Sequence, residues 1–222
     1  MNFKQFLKKT WYFIWEDDSI WSWIINIILA FIIIKFLVYP GLGLAMQTSH
    51  PVVAVVSGSM EHKTVYPCSM MTGAGCSERN KEFYSMCGNN FDKKQKVNFD
   101  FFWETCGPWY ATNTDVTKES FSEFRLKNGF NTGDIMVLRG VKPEKIKTGD
   151  TIVYMSKTAS YPIIHRVVDI QDTTFITKGD HNSGPDSPIS ANQIIGRAVL
   201  RVPLLGWIKI GFVKLIYFFK VI

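Results

Sequence analysis

Two patterns that often reveal a bound ligand are missing from this sequence. Its four cysteines, Cys68, Cys76, Cys87 and Cys106, are separated by long, irregular intervals and include no C-x-x-C pair. Since cysteine-based zinc sites usually need such closely spaced pairs, we expect no zinc site. The lysines behind the formal charge of +6 are scattered, with no basic stripe or aromatic stacking motif. We therefore expect these positive charges to interact with anionic lipid headgroups and not with nucleic acid.

The apolar residues are distributed unevenly along the chain. Hydrophobic residues make up an ordinary 46% of the 222 residues, but the stretches Ile20 to Tyr39 and Val202 to Ile222 are strongly apolar. The first is about 20 residues long, which matches a hydrocarbon core of about 30 Å. It predicts a transmembrane helix over residues 20–39, which Pro40 and Gly41 end. Because no small-residue cleavage site accompanies it, we do not interpret it as a removable signal peptide.

The residues before this helix predict its orientation. Residues 1–19 form an amphipathic segment, in which residues 1–15 have apolar side chains near helical spacing. This pattern predicts a short helix in the membrane interface, and a fraying terminus is the alternative. Because Lys4, Lys8 and Lys9 precede the span, the positive-inside rule predicts a cytoplasmic N-terminus and an extracytoplasmic remainder.

The second apolar stretch, residues 202–222, is nearly long enough to span a membrane. Lys209, Lys214 and Lys220 interrupt it at intervals that do not share one helix face. The pattern predicts a C-terminal apolar helix associated with the outer leaflet, and a second span is the alternative.

Residues 63–129 differ in composition from the rest of the chain. They contain all four cysteines and many aromatic residues. An even number of cysteines in an exported segment predicts two disulfides, for which three pairings are possible. The aromatic residues form either a small core of this segment or a surface for lipid or a partner.

The remaining sequence alternates turn signals with short runs of β-forming residues. Gly133-Asp134 and Gly149-Asp150 each precede such a run. The runs after residue 130 are 135–138, 151–154, 161–168 and 174–177. Their spacing predicts a mainly β catalytic domain, a partly closed β-barrel built from residues 50–62 and 130–201.

Three residues have the side chains that nucleophilic catalysis requires. Ser59 follows the apolar run Val52 to Val56, His165 lies inside an apolar run, and Asp186 lies in a glycine-rich loop. They provide a nucleophile, a general base and an orienting carboxylate. Each also has a structural alternative, since Ser-Gly-Ser often forms a turn, an apolar histidine often belongs to the core and a loop aspartate often caps the backbone.

Five motifs make the combination specific. They are SGSME at 57–61, GDI at 133–135, KTGDTIVY at 147–154, IIHRVV at 163–168 and KGDHNSGPD at 178–186. Through these motifs the sequence resembles the type I signal peptidases of the archaeal and endoplasmic-reticulum type. The resemblance covers about residues 20–62 and 130–211, because the similar ending IIGRAVLRVPLLGWIKI is included.

The resemblance implies roles for six residues. Ser59 attacks the scissile carbonyl, His165 accepts its proton in place of the lysine of bacterial signal peptidases, and Asp186 holds the imidazole. Asp180 matches a supporting acid. The Ser59 amide and the Ser57 hydroxyl would hold the oxyanion, and Met60 would shape shallow pockets for small side chains.

The sequence departs from the family pattern at two places. His62 stands where the family usually has proline, so it is an alternative candidate for the base. The segment 63–129 is an insertion of roughly 65 residues between the serine and the first GD phrase, a length that loop-closure entropy tolerates. Because it leaves and re-enters beside Ser59, we expect it to cap the cleft or to recognise substrates.

Together these features predict a membrane-bound serine endopeptidase that removes signal peptides from exported preproteins after small residues, without a cofactor or metal. Accessory subunits are possible partners, and the location is the cell membrane, or the endoplasmic-reticulum membrane with a lumenal catalytic domain in a eukaryote. One alternative is a non-catalytic membrane-anchored binding subunit that uses the insertion. Another is a self-cleaving serine-lysine regulator, whose lysine base and DNA-binding segment are not evident.

Overall fold

The computed structural model describes residues 2–66, 83–156, 161–208 and 210–211. The chain divides into two compact units, Met1–Met46 and Gln47–Ile222. The first unit is helical and the second is mainly sheet.

The N-terminal unit contains helix α1, Phe3–Trp15, followed by a longer apolar helix. The longer helix consists of α2, Ile20–Ile33, a π-helical turn, Ile34–Val38, and α3, Tyr39–Met46. It spans 27 residues with a mean hydropathy of 2.3 and is the one helix among the described residues long and apolar enough to cross a membrane. The helix expected near the N-terminus is therefore present in α1, and an apolar helix follows it.

This apolar helix does not end at Pro40, contrary to the sequence-based expectation. In the π turn before the proline, the backbone amide of Tyr39 bonds the carbonyl of Ile34, five residues earlier. Proline lacks an amide hydrogen and usually interrupts a helix, but a wide turn at this point accommodates it. The helix continues to Met46 as a result.

Two polar side chains of α2 connect it to α1. The Ser22 hydroxyl donates to the carbonyl of Phe13 at 2.5 Å, and the Asn26 side-chain amide donates to the carbonyl of Ile14 at 2.9 Å. The last carbonyls of a helix have no partner within it, so these bonds satisfy the end of α1.

The described residues of the second unit form a seven-stranded and a two-stranded sheet. The strands are β1 Val52–Ala54, β2 Tyr84–Met86, β3 Asn89–Phe91, β4 Ile135–Arg139, β5 Thr151–Met155, β6 Pro162–Gln171, β7 Thr174–Lys178, β8 Ile189–Ser190 and β9 Ile194–Val202. The large sheet has the order β1-β4-β9-β5-β6-β7-β8, with every neighbouring pair antiparallel, and β2 pairs with β3. Within the described residues β1 and β8 remain edge strands, so the predicted barrel is not confirmed.

The four β runs predicted after residue 130 are confirmed as β4, β5, β6 and β7. Gly133 and Gly149, which precede β4 and β5, have φ values of 90° and 93°. Only glycine adopts a positive φ of this size readily, which explains why a Gly-Asp pair precedes both strands. The sequence-based interpretation did not identify β9, which lies between β4 and β5 near the middle of the sheet.

Where the structure describes it, the inserted segment, residues 63–129, contributes two helices and the β2-β3 hairpin. The helices are α4, Phe99–Asn113, and α5, Lys118–Glu123. Buried residues of the segment form one cluster with Val168 of β6, namely Met86, Phe102, Cys106, Tyr110, Val116 and Phe121. The aromatic residues are therefore a core, and this core packs on the large sheet.

One disulfide lies within the described residues. Cys87, in the turn between β2 and β3, is bonded to Cys106 of α4. This confirms a disulfide in the inserted segment. Cys68 and Cys76 lie outside the described residues.

Removing this disulfide is expected to destabilise the second unit. The bond joins residues 19 positions apart, and a cross-link of this length contributes about 3 kcal/mol by restricting the unfolded chain. Cys87→Ala, Cys106→Ala and the double variant should each lower the free energy of unfolding by that amount, measured by denaturant titration in detergent. An unchanged midpoint in all three variants would show that the cross-link contributes no stability.

The C-terminal helix begins later than expected. Residues up to Val202 belong to β9, and helical backbone starts at residue 206. Residue 209 and residues 212–222 lie outside the described residues, so the membrane association of 202–222 remains a prediction.

Candidate active site

The structure brings Ser59, His165 and Asp186 together in one hydrogen-bonded chain. Nε2 of His165 lies 2.9 Å from the Ser59 hydroxyl oxygen. Nδ1 of the same ring lies 2.6 Å from Oδ2 of Asp186. Since an ionised carboxylate only accepts hydrogen bonds, Nδ1 carries a proton and, in the neutral ring, Nε2 accepts the serine proton. This is the arrangement of nucleophile, base and orienting acid.

Three different elements hold these side chains. Ser59 lies in a turn beyond β1, which the bond from the Glu61 amide to the Gly58 carbonyl closes at 3.0 Å. His165 lies in β6, and Asp186 follows β7, where its amide donates to the Thr177 carbonyl at 2.7 Å. The sheet thus joins residues that are more than 100 positions apart in sequence, such as Ser59 and His165, whose separation is 106.

Oδ2 of Asp186 accepts two further hydrogen bonds. The Tyr154 hydroxyl lies 3.0 Å away and the Thr177 hydroxyl 2.7 Å away. Burial disfavours the ionised carboxylate, but the hydrogen bond and charge of His165, with the bonds from Thr177 and Tyr154, lower the pKa of Asp186 overall. The same site raises the pKa of Tyr154, chiefly because of its burial. The tyrosine therefore stays neutral and acts as a donor.

The residues next to Ser59 have different environments. The hydroxyl oxygens of Ser57 and Ser59 are 3.2 Å apart, and because Ser59 has a single proton to give to His165, Ser57 is the donor of that pair.

Met60 is only 1% exposed and belongs to the core cluster with Val55 and Phe130. Its side chain packs inside the sheet domain, and its expected role in shaping a substrate pocket stays a prediction.

Asp180 lies in a second, fully buried site. Its two carboxylate oxygens accept from Nε and Nη2 of Arg166 at 2.8 and 2.6 Å. Burial opposes ionisation, but the charge and hydrogen bonds of Arg166, with the bond from His62, hold the pKa of Asp180 well below its usual range. The guanidinium also donates to the carbonyls of Arg125, Leu126 and Gly149. Asp180 therefore anchors a charged network and does not touch His165 among the contacts described.

Strand alternation separates the two sites. His165 and Arg166 are neighbours in β6, and successive side chains of a strand point to opposite faces. One face receives Ser59 and Asp186, whereas the other receives Asp180. A one-residue shift of β6 would exchange the two faces.

His62, the alternative candidate for the base, bonds Asp180. Its Nε2 lies 2.9 Å from Oδ2 of Asp180. Its ring stacks on Phe102 of α4, with centroids 3.7 Å apart and planes within 6° of parallel. The geometry thus favours His165 over His62 as the partner of Ser59.

The described residues include no group of three His, Cys, Asp or Glu side chains arranged to hold a metal ion.

Comparison with known proteins identifies the family. No family model matches the chain. The chain is 30% identical over 123 residues to the signal peptidase complex catalytic subunit SEC11 of Zygosaccharomyces rouxii, a match that covers 49% of this chain and 72% of the relative. The chain belongs to the SEC11 family.

Other SEC11 proteins match over shorter stretches. SEC11 of Ogataea parapolymorpha is 29% identical over 42% of this chain and 65% of its own length. SEC11C of Homo sapiens is 26% identical over 38% of this chain and 51% of its own length. The matches to these two relatives therefore extend over half to two thirds of their length.

Three functional residues were not predicted from the sequence. Tyr154 and Thr177 bond Asp186, and Arg166 bonds Asp180. Of the three, only Arg166 could have been identified from the sequence, because a charged residue inside the apolar run 163–168 must be paired if the run is buried. The two hydroxyl donors lie in ordinary strand sequence, and only the pairing of β5, β6 and β7 brings them to the carboxylate.

Proposed function

We propose that the chain is a membrane-anchored serine endopeptidase that cleaves signal peptides from preproteins. The hydrogen-bonded chain Ser59–His165–Asp186 is the observation that supports this best. The SEC11 relatives are named catalytic subunits of a signal peptidase complex, which supports the same substrate class and the presence of accessory subunits. The catalytic domain consists of residues 50–62 and 130–201.

The mechanism is acyl transfer followed by hydrolysis. The Ser59 oxygen attacks the scissile carbonyl while its proton passes to Nε2 of His165, and the imidazolium then protonates the leaving amine. Water, deprotonated by the same ring, releases the acyl group. Asp186 stays ionised and holds the Nδ1 proton. The Ser57 hydroxyl and the Ser59 amide stabilise the oxyanion, and each such donor lowers the barrier by roughly 3 kcal/mol.

The substrate is an extended segment that pairs beside the nucleophile. β1 is an edge strand of the sheet, and an edge strand offers free backbone groups to an added strand. The residue before the cut is small, as the resemblance to the signal peptidases implies. The apolar helix Ile20–Met46 is the membrane anchor, with a cytoplasmic N-terminus and an extracytoplasmic catalytic domain.

The test is cleavage of a preprotein by the purified full chain in liposomes, with the new N-terminus of the product sequenced. We expect one cut after a small residue. The matched control is the same preprotein with that residue changed to tryptophan, which should not be cut. A folded chain that leaves the preprotein intact would favour the non-catalytic binding subunit.

Cleavage should slow on acidification, because a general base accepts a proton only when it is neutral. The lowered pKa of Asp186 keeps this carboxylate ionised from about pH 5 upward, so Asp186 should not cause a second decrease of the rate in that range. Initial rates at saturating preprotein measure the profile. A profile flat from about 5 to 9 would contradict the assignment of His165 as the base.

A further inference from the structure

Residues 58–62, here called the nucleophile turn, are held by His181 of the facing loop. The His181 backbone amide donates to the carbonyl of Ser59 at 2.9 Å. Its ring atom Nδ1 lies 3.0 Å from the carbonyl of Glu61. A carbonyl can only accept, so Nδ1 is the donor, and burial lowers the pKa of His181 despite that bond. One neutral, buried residue therefore fixes the turn at two points that flank Met60.

The inserted segment in turn holds His181. The backbone amide of Cys87, in the hairpin turn between β2 and β3, donates to the carbonyl of His181 at 2.9 Å. Cys87 is disulfide-bonded to Cys106 of α4. The hairpin turn that contacts His181 is thus tied to helix α4.

The same helix contacts the other end of the nucleophile turn. Phe102 of α4, which has no exposed surface, stacks on His62. His62 also bonds the carboxylate of Asp180, the neighbour of His181. The inserted segment therefore reaches the nucleophile turn by two routes, through His181 and through His62.

We propose that the inserted segment is a positioning element that fixes the nucleophile turn through His181 and His62. This inference rests on the proposed role of Ser59 as nucleophile. His181 and His62 act on the geometry of Ser59 and touch neither substrate nor reacting atoms. A nucleophile displaced by about 1 Å loses roughly 100-fold in rate, so such contacts matter for turnover more than for binding.

The test compares His181→Leu with His181→Asn. Leucine fills the volume but cannot donate to the Glu61 carbonyl, whereas the asparagine side-chain amide occupies the place of Nδ1 and can. We expect His181→Leu to lower kcat roughly 10- to 100-fold with KM within about twofold, and His181→Asn to restore kcat. Equal kcat in wild type and His181→Leu, or a parallel loss in both variants, would overturn the proposal.

Hydrogen exchange of the amides of residues 58–62 gives a second readout that needs no activity. Exchange should be faster than in wild type for His181→Leu and for Cys87→Ser/Cys106→Ser, and unchanged for His181→Asn. If the disulfide variant exchanges faster only within residues 83–129, the inserted segment does not position the turn. Wild-type protein that fails to cut the preprotein would refute the proposed function, while the exchange data would still decide this inference.

Discussion

Ser59→Ala is expected to lower kcat by a factor on the order of 10⁴ to 10⁶. The Ser59 oxygen is the atom that lies 2.9 Å from Nε2 of His165, and alanine leaves the base without a nucleophile to activate. The measurement is cleavage of a preprotein under single-turnover conditions. The matched control is Ser57→Ala, which removes the neighbouring hydroxyl and should lose about 10²- to 10³-fold through the oxyanion alone.

His165→Ala should lose a similar factor, because nucleophile and base act as one unit. The double variant Ser59→Ala/His165→Ala should then be no slower than either single variant. Additive losses would mean that the two residues contribute independently, which the proposed mechanism does not allow. Wild-type turnover by Ser59→Ala would show that another group is the nucleophile.

The residue types at the site could be predicted from sequence because each stands in a short, specific motif. Ser59 follows an apolar run, and Asp186 ends the motif at 178–186. The resemblance to a known family assigned these residues their roles. What the sequence could not show is that strands β1 and β6, with the loop after β7, converge on one point. That convergence follows from pairing between strands distant in sequence, which local patterns do not encode.

The inserted segment could not be predicted beyond its cysteines and aromatic residues. Helix α4 contains Gly107 and Pro108, both unfavourable inside a helix, so local propensity argued against it. Burial of Phe102, Cys106 and Tyr110 against β6 outweighs that cost. Likewise Pro40 ended the predicted apolar helix, although the π turn before it allows the helix to continue.

Arg166→Met is expected to lower the free energy of unfolding by about 3–5 kcal/mol at neutral pH. Both Arg166 and Asp180 have no exposed side-chain surface, and Nη2 lies 2.6 Å from Oδ2. Removing the guanidinium leaves a buried carboxylate without its charge partner. The matched control is Arg197→Met, which breaks the partly exposed pair with Asp150 at 3.0 Å and should cost less than about 1 kcal/mol.

The loss of unfolding free energy caused by Arg166→Met should become smaller as the pH falls. In wild type the pKa of Asp180 lies below its unfolded value of about 4, so the pair stabilises the fold above that pH and its contribution is lost on further acidification. In the variant the unpaired carboxylate has a raised pKa, and its protonation removes the buried charge. Denaturant titrations at neutral and acid pH test this, and a deficit independent of pH would exclude an electrostatic cause.

Arg166→Met/Asp180→Leu should be more stable than Arg166→Met alone, because it removes the uncompensated charge as well as the guanidinium. It should not reach wild type, since the carbonyls of Arg125, Leu126 and Gly149 still lose their donor. Strict additivity of the two single losses would show that Arg166 and Asp180 do not interact. In that case Arg166 would stabilise the fold through its other contacts, the three carbonyls and the Phe121 ring, whose centroid lies 4.8 Å from Cζ.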